Sequence, residues 1–366
     1  MEFKYQASPV IRRPLNTNRI MIRLCIGLLV VYAFGLYNAS KIGTAYLINA
    51  ILLLVVSLAV ATITEVVFAL ALKKKPIEFI KKSFYYITCI ILVLTVPANT
   101  SLYAMGVATF IAIFFGKLVF GGFGQNVFNP AGVGRAIIAT SFAGKVSVDA
   151  LTSATVATSF ASMNWLLDPN SFLSFIKNIG GLKAILLGSV TGAIGEIFLV
   201  VIIVGIILSI FDVIDWRIPL TYIGIIFVAS LIIGLSNGLG IEYALAFTAS
   251  GGVAFGGVFM LTDPVTNPQT RPGKILFAAI AALLTMLIRF LGNLPEGVVF
   301  SILLVNILAP AIDLLFVSKQ IVSRKRNISI VFGSILVIIL IIVGIGNSIN
   351  PGTYVDTNVK EVEASE

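Results

Sequence analysis

An all-α integral membrane protein, with about 10–11 transmembrane helices in two related halves and broken or re-entrant segments, is the fold class this sequence predicts. Three observations predict it: 58% of the 366 residues are hydrophobic against 11% charged, the mean hydropathy is +1.05, and the apolar residues gather into runs of membrane-spanning length. A surface so poor in charge is not that of a soluble globule. A spanning helix needs about 20 apolar residues, so the runs consume most of the chain and exclude a sizeable soluble catalytic domain.

In order, the apolar runs fall near 20–37, 45–72, 84–97, 101–120, 131–143, 184–211, 219–236, 243–261, 275–291, 297–316 and 328–346. Several are rich in Ile, Leu, Val and Phe and end at Gly, Pro, Asn or a charge, as helices do. The 131–143 run is too short to span unassisted and reads as a broken or re-entrant helix among its neighbours. With the N-terminus cytoplasmic and every run crossing, the inside segments hold 16 Lys and Arg and the outside segments 5, which fits the positive-inside rule. Were 131–143 not to cross, Arg271, Lys274, Lys319, Arg324, Lys325 and Arg326 would face outward, so the charges argue that it does. The chain divides into a cytoplasmic segment 1–19, a membrane domain 20–346 whose largest outside loop is 144–183, and a polar tail 347–366. The start of the chain reads as having no removable signal peptide, since no small-residue cleavage site follows its first apolar run.

Zero histidines remove histidine zinc sites, bis-histidine haem ligation and Ser-His-Asp catalysis; the two cysteines, Cys25 and Cys89, cannot by themselves hold an iron–sulfur cluster. The net charge of +9 belongs to basic cytoplasmic loops, with no nucleic-acid partner implied. Phe120-Gly121-Gly122 leading to Asn129-Pro130 recurs as Phe255-Gly256-Gly257 leading to Asp263-Pro264 and Asn267-Pro268, the mark of two related halves; chance recurrence of glycine motifs is the alternative. Glu65 and Glu196 interrupt apolar runs, where a charge is costly, and are ion-path candidates. Helix capping or an interhelical hydrogen bond is the other reading, which suits Glu196 close to the start of its helix. Gly188, Gly192 and Gly195 resemble a small-residue packing face.

The string Gly121-Gly122-Phe123-Gly124-Gln125-Asn126-Val127-Phe128-Asn129-Pro130-Ala131 with Gly134-Arg135-Ala136 carries a resemblance. So do Asp215-Trp216-Arg217-Ile218-Pro219, Thr262-Asp263-Pro264-Val265-Thr266-Asn267-Pro268 and the stretch from Pro295-Glu296-Gly297 to Asn306. Together, in this order, they resemble the D subunits of Rnf-type electron-transport complexes, and more distantly the B subunit of the sodium-pumping NADH:quinone reductase. The resemblance implies FMN bound covalently, through its phosphate, by a flavin transferase. Asp149-Ala150-Leu151-Thr152-Ser153-Ala154-Thr155 resembles the transferase target, which assigns the bond to Thr155, with Asp149, Thr152, Ser153 and Ala154 as its recognition residues. Thr152-Ser153 and Val156 depart mildly from the common pattern. Asn126, Asn129 and Arg135 are the further cofactor-binding candidates, with Lys117 beside them; both cations could neutralise a flavin, while snorkelling to the interface is their commoner fate. A second, non-covalent flavin such as riboflavin is a possible companion. The implied setting is a bacterial cell membrane with the flavin loop outside. The implied task is electron relay between ferredoxin and NAD coupled to Na⁺ or H⁺ translocation. Its partners are the other Rnf subunits: membrane cluster-bearing subunits, a flavin-bearing G-type subunit and the NAD- and ferredoxin-side subunits. A solute channel of urea-channel-like fold is the rival reading, and it has no use for the segment from Asp149 to Thr155.

Overall fold

A computed structural model describes residues 16–142, 156–163, 165, 168–190, 192–292, 297–316 and 324–349. Two long helices open the first half, α1 (Thr17–Ile42) and α2 (Thr44–Ala71). Asn16 starts α1 by accepting the Arg19 N–H on its side chain. The short amphipathic α3 (Pro76–Ser83) carries Glu78 in its first turn and Lys81 and Lys82 in its last, matching the helix dipole. After α4 (Tyr85–Leu94), α5 (Leu102–Ile113) runs straight into a π-helical turn, Phe114–Leu118. The glycine-rich loop follows, and α6 (Pro130–Ser141) begins where proline is tolerated in the first turn, with the Asn129 side chain accepting the Ala131 and Gly132 N–H groups.

Three short helices connect the halves: α7 (Val156–Ser162), α8 (Pro169–Asn178) and α9 (Leu182–Leu186). The second half comprises α10 (Phe198–Ile210), α11 (Arg217–Ser236), α12 (Ile241–Ala249) and α13 (Val253–Phe255), which continues as a second π-helical turn, Gly256–Met260. It closes with α14 (Arg271–Leu291), α15 (Val298–Phe316) and α16 (Arg324–Asn347). The sequence repeat is thus a structural one. In each half a π-helical turn leads into a glycine- or proline-rich loop and then a helix with proline in its first turn, Pro130 in α6 and Pro272 in α14.

Among the described residues, six helices are long and apolar enough to cross a membrane, and the pair Ile241–Ala249 and Val253–Met260, bent by 64°, makes a broken seventh. The remaining runs are shorter, at Tyr85–Leu94, Leu102–Leu118 and Phe198–Ile210. The chain is a multi-pass, all-helical membrane protein. The α6 helix has 12 residues, about 18 Å at helical rise, and packs among α4, α5 and α15, as a half-span must. Ile51, Val55, Ile63, Leu336 and Leu340 are exposed on α2 and α16, as lipid-facing side chains are.

One expected span is not one helix. The 184–211 run divides between α9 and α10, where residues 192–197 pass as irregular backbone over the end of α4: the Ile194 N–H donates to Val96 C=O and the Gly195 N–H to Leu94 C=O. Gly188, Gly192 and Gly195 therefore form no helical packing face. Gly188 takes φ +65°, and a Cβ on Gly195 would lie 2.8 Å from the Leu94 carbonyl oxygen. Irregular backbone survives here because protein buries it and satisfies it.

Candidate functional site

The two repeated loops meet through side-chain hydrogen bonds. Asn306 of α15 accepts the Asn129 N–H at 3.1 Å and donates to Thr266 C=O at 3.3 Å, while the Asn129 side chain donates to Met260 C=O at 3.2 Å. Asn129 and Asn306 are almost completely buried. Asn126 stays within its own loop, donating to Phe128 C=O. Asn129 thus serves its helix and the other half of the molecule at once, and Asn306, the last residue of a quoted motif, gains a role that spacing did not indicate.

Beside this junction lies a cleft of about 690 Å³, counting the space open to solvent. Its walls include Phe84, Phe123 and Phe259; its polar lining includes Asn126, Asn129, Thr88, Thr262, Asp263, Ser83 and Lys117. Phe84 and Phe123 meet edge to face at 4.9 Å. Asp263 accepts the Val265 N–H, but burial is the stronger influence and pushes its carboxyl up to about 6. At the same end of the bundle Asp215 accepts from Lys274 at 3.0 Å and from Arg217 at 3.1 Å. Burial alone would raise that carboxyl; the Arg217 backbone N–H and the Lys274 ammonium outweigh it and hold it below the usual range.

Glu65 on α2 has the basic partner a buried acid requires. Lys117 Nζ lies 3.0 Å from Glu65 Oε1 and donates to Ser83 C=O at 2.6 Å, and the Ser83 hydroxyl donates to the same Glu65 oxygen. Glu65 and Lys117 are 0% and 2% exposed at the side chain, and Glu65 Oε2 has no hydrogen-bond partner. Lys117 therefore neither snorkels outward nor stands free for a ligand's phosphate. The π-helical turn that carries it turns it inward, at the back wall of the cleft.

Arg135 does not join Asn126 and Asn129. It sits inside α6 and lines a separate, small cavity with Thr95, Glu196, Gly251 and Gly252. Glu196 precedes α10, whose N-cap is Ile197 without a side-chain cap, so it does not cap that helix. Its carboxylate lies over backbone: a Cβ on Gly192 would be 2.5 Å from Oε2 and one on Gly252 3.6 Å from Oε1. The structure thus brings Arg135 together with Glu196 at the break between α12 and α13.

Asp149, Thr152, Ser153, Ala154 and Thr155 lie outside the described residues. The chain is described again from Val156, which is buried, as are Ala157 and Phe160 of α7. This connection packs at the far end of α14 from Lys274. Arg289, near the last turn of α14, lies 4.4 Å from the Trp165 ring, roughly 22 Å along the helix axis from Lys274.

Residues 4–322 match the family model described as the NQR2, RnfD, RnfE family. The chain is 32% identical to the D subunit of the proton-translocating ferredoxin:NAD(+) oxidoreductase complex of Clostridium ljungdahlii, covering 85% of this chain and 93% of that protein. It is 32% identical to the D subunit of the Na(+)-translocating ferredoxin:NAD(+) oxidoreductase complex of Acetobacterium woodii, over 84% and 91%. Identity is 30% to the B subunit of the Na(+)-translocating NADH-quinone reductase of Chromohalobacter salexigens, over 80% and 72%.

Proposed function

This chain belongs to the NQR2, RnfD, RnfE family, and we propose that it is the D-type membrane component of an Rnf-type complex, in which electron passage between ferredoxin and NAD is coupled to Na⁺ or H⁺ movement. The observation that carries this reading is similarity over nearly the whole length of proteins named for that activity. The quinone-reductase component is the sibling reading, and less of its length is covered. The chain works in a bacterial cell membrane with companion subunits that carry the clusters, the G-type flavin and the ferredoxin and NAD sites.

In this reading FMN is joined to Thr155 through a phosphoester by a flavin transferase, and when bound it supplies one- and two-electron chemistry. Asp149, Thr152, Ser153 and Ala154 are the transferase's recognition residues. Support comes from the acceptor pattern and from the buried anchorage of Val156 and Ala157 directly after it. A second, non-covalent flavin such as riboflavin is assigned to this cleft, whose enclosed space of about 60 Å³ must widen to admit it. A flat tricyclic ring wants apolar faces and polar edges; Phe84, Phe123 and Phe259 supply the first, and Asn126, Asn129 and Thr262 the second. Glu65 is the ion-path residue, paired with Lys117 and with its second oxygen left for a proton or cation. Arg135 and Glu196 face the smaller, separate cavity.

In-gel ultraviolet fluorescence after denaturation tests the cofactor. Thr155→Ala, or expression without the transferase, should abolish the band while Thr158→Ala keeps it; a band retained in Thr155→Ala reassigns the site. For orientation, the exposed Ser162 is the reporter in a Cys25→Ser, Cys89→Ser background, since its neighbour Phe160 is fully buried. Ser162→Cys should react with an impermeant thiol reagent from outside and Lys81→Cys should not. In the assembled complex, Glu65→Gln should keep electron transfer and lower ion transport; wild-type levels of both would make Glu65 purely structural.

A further inference from the structure

The connection between the halves is held down at one point by a buried cation. Arg289 is 1% exposed. It donates to Phe247 C=O at 3.0 Å and to Ser250 C=O at 2.8 Å, at the C-terminal end of α12, where a positive charge meets the negative end of the helix dipole. The same guanidinium lies over two rings, 4.4 Å from Trp165 and 4.9 Å from Phe247. A planar fork does both tasks at once, donating in its plane and stacking on its face; an ammonium cannot.

Trp165 is itself over-determined. Its backbone takes φ +61°, which a bulky aromatic rarely adopts. Its N–H donates to Phe160 C=O at 2.7 Å, its C=O accepts the Tyr243 hydroxyl at 2.7 Å, and its ring stacks on Phe160 at 6.1 Å. Gly251 forms the floor beneath. It takes φ +65°, and a Cβ there would lie 2.7 Å from Arg289 Nη2 and 3.1 Å from Ala157 Cβ. Arg289 and the first turn of α7 thus rest on one backbone turn, the break between α12 and α13.

We propose that Arg289 is a positioning residue for α7, the helix that begins at the residue after Thr155: through Trp165 and Gly251 it docks that helix on the broken end of α12. This rests on the assignment of FMN to Thr155. The consequence is that electron transfer through this protein depends on a residue at the half-helix break, outside the flavin attachment pattern.

The chain's two tryptophans supply the test. In a Trp216→Phe background, full-length protein produced with the transferase has Trp165 as its one tryptophan. Its emission lifetime should be several-fold shorter in the loaded protein than in Thr155→Ala. Arg289→Gln should cut the docked population about tenfold and return the lifetime toward the Thr155→Ala value, with denaturation-resistant flavin unchanged. Arg289→Lys, which keeps the charge at the end of α12, should recover only part of the shortening; it also serves if Arg289→Gln is not produced. In the assembled complex the electron-transfer rate should fall about tenfold in Arg289→Gln at equal flavin content. A lifetime and rate unchanged in the Arg289 variants would overturn the proposal. Flavin persisting in Thr155→Ala would instead overturn the attachment site, read from the gel alone.

Discussion

Lys117 and Arg289 are both buried cations on membrane helices, and the protein solves the same problem differently for each. Lys117, at the cleft end, lies against the carboxylate of Glu65 and the carbonyl and hydroxyl of Ser83. Arg289, at the opposite end, is spread over two backbone carbonyls and two aromatic faces. A compact ammonium is strongly hydrated, and losing that water is offset by a full counter-charge; a planar guanidinium also gains from dipoles and π faces. The contrast teaches what each can do. A Lys–Glu pair has an ionisable partner and can exchange a proton or cation, whereas an arginine bound to carbonyls stays charged and works as a fixed clamp.

The comparison predicts that removing the counter-charge at Lys117 does the most damage. Glu65→Ala should cost about 3–5 kcal/mol in detergent thermal unfolding, because a buried ammonium is left uncompensated. Joint replacement by Glu65→Gln and Lys117→Met should recover most of that loss; if the single variant is as stable as the parent, the pair is not what holds Lys117 in place. Arg289→Gln should cost less, on the order of 2–3 kcal/mol, from weakened carbonyl bonds and a lost stack, with Arg289→Lys regaining under half. An equal stability for Arg289→Lys and the parent would erase the difference between the two cations.

Smaller effects sharpen the picture between the two ends. Asn306→Leu orphans the Asn129 N–H and Thr266 C=O and should cost about 1–3 kcal/mol, read as a lowered unfolding midpoint. Asp313→Ala removes the carboxylate that accepts the Gln269 and Thr270 N–H groups ahead of α14 and should cost about 1 kcal/mol. The last is a pH effect at Asp263. Its folded value is raised to about 6 above an unfolded value near 4, so its contribution is complete below about pH 4 and is lost as pH rises through about 6. Asp263→Asn should flatten that part of the stability profile, and an unchanged slope would put Asp263 in contact with water.

The fold class was readable without the fold, because it depends on local quantities. Apolar runs depend on composition within about one span, and the glycine- and proline-rich loops announce broken backbone by residue type. Asn129 drew notice through its motif as a cofactor-binding candidate, and its capping of α6 emerged with the fold. The motifs also carried the family resemblance, which the family match bears out.

What the tertiary structure alone decided is which distant groups meet. Nothing in the run from 184 to 211 says that Ile194 and Gly195 will spend their N–H groups on the carbonyls of Val96 and Leu94 and so interrupt a helix. Glu65, Ser83 and Lys117 come from three separate elements, and the π-helical turn that swings Lys117 inward has no periodic signature. Nothing in the run from 275 to 291 says that Trp165 and the end of α12 will close around Arg289. Hydropathy and residue type act over a few residues and are written in the order of the chain; the neutralisation of a buried charge depends on what packs against it, and that is settled only when the helices are in contact.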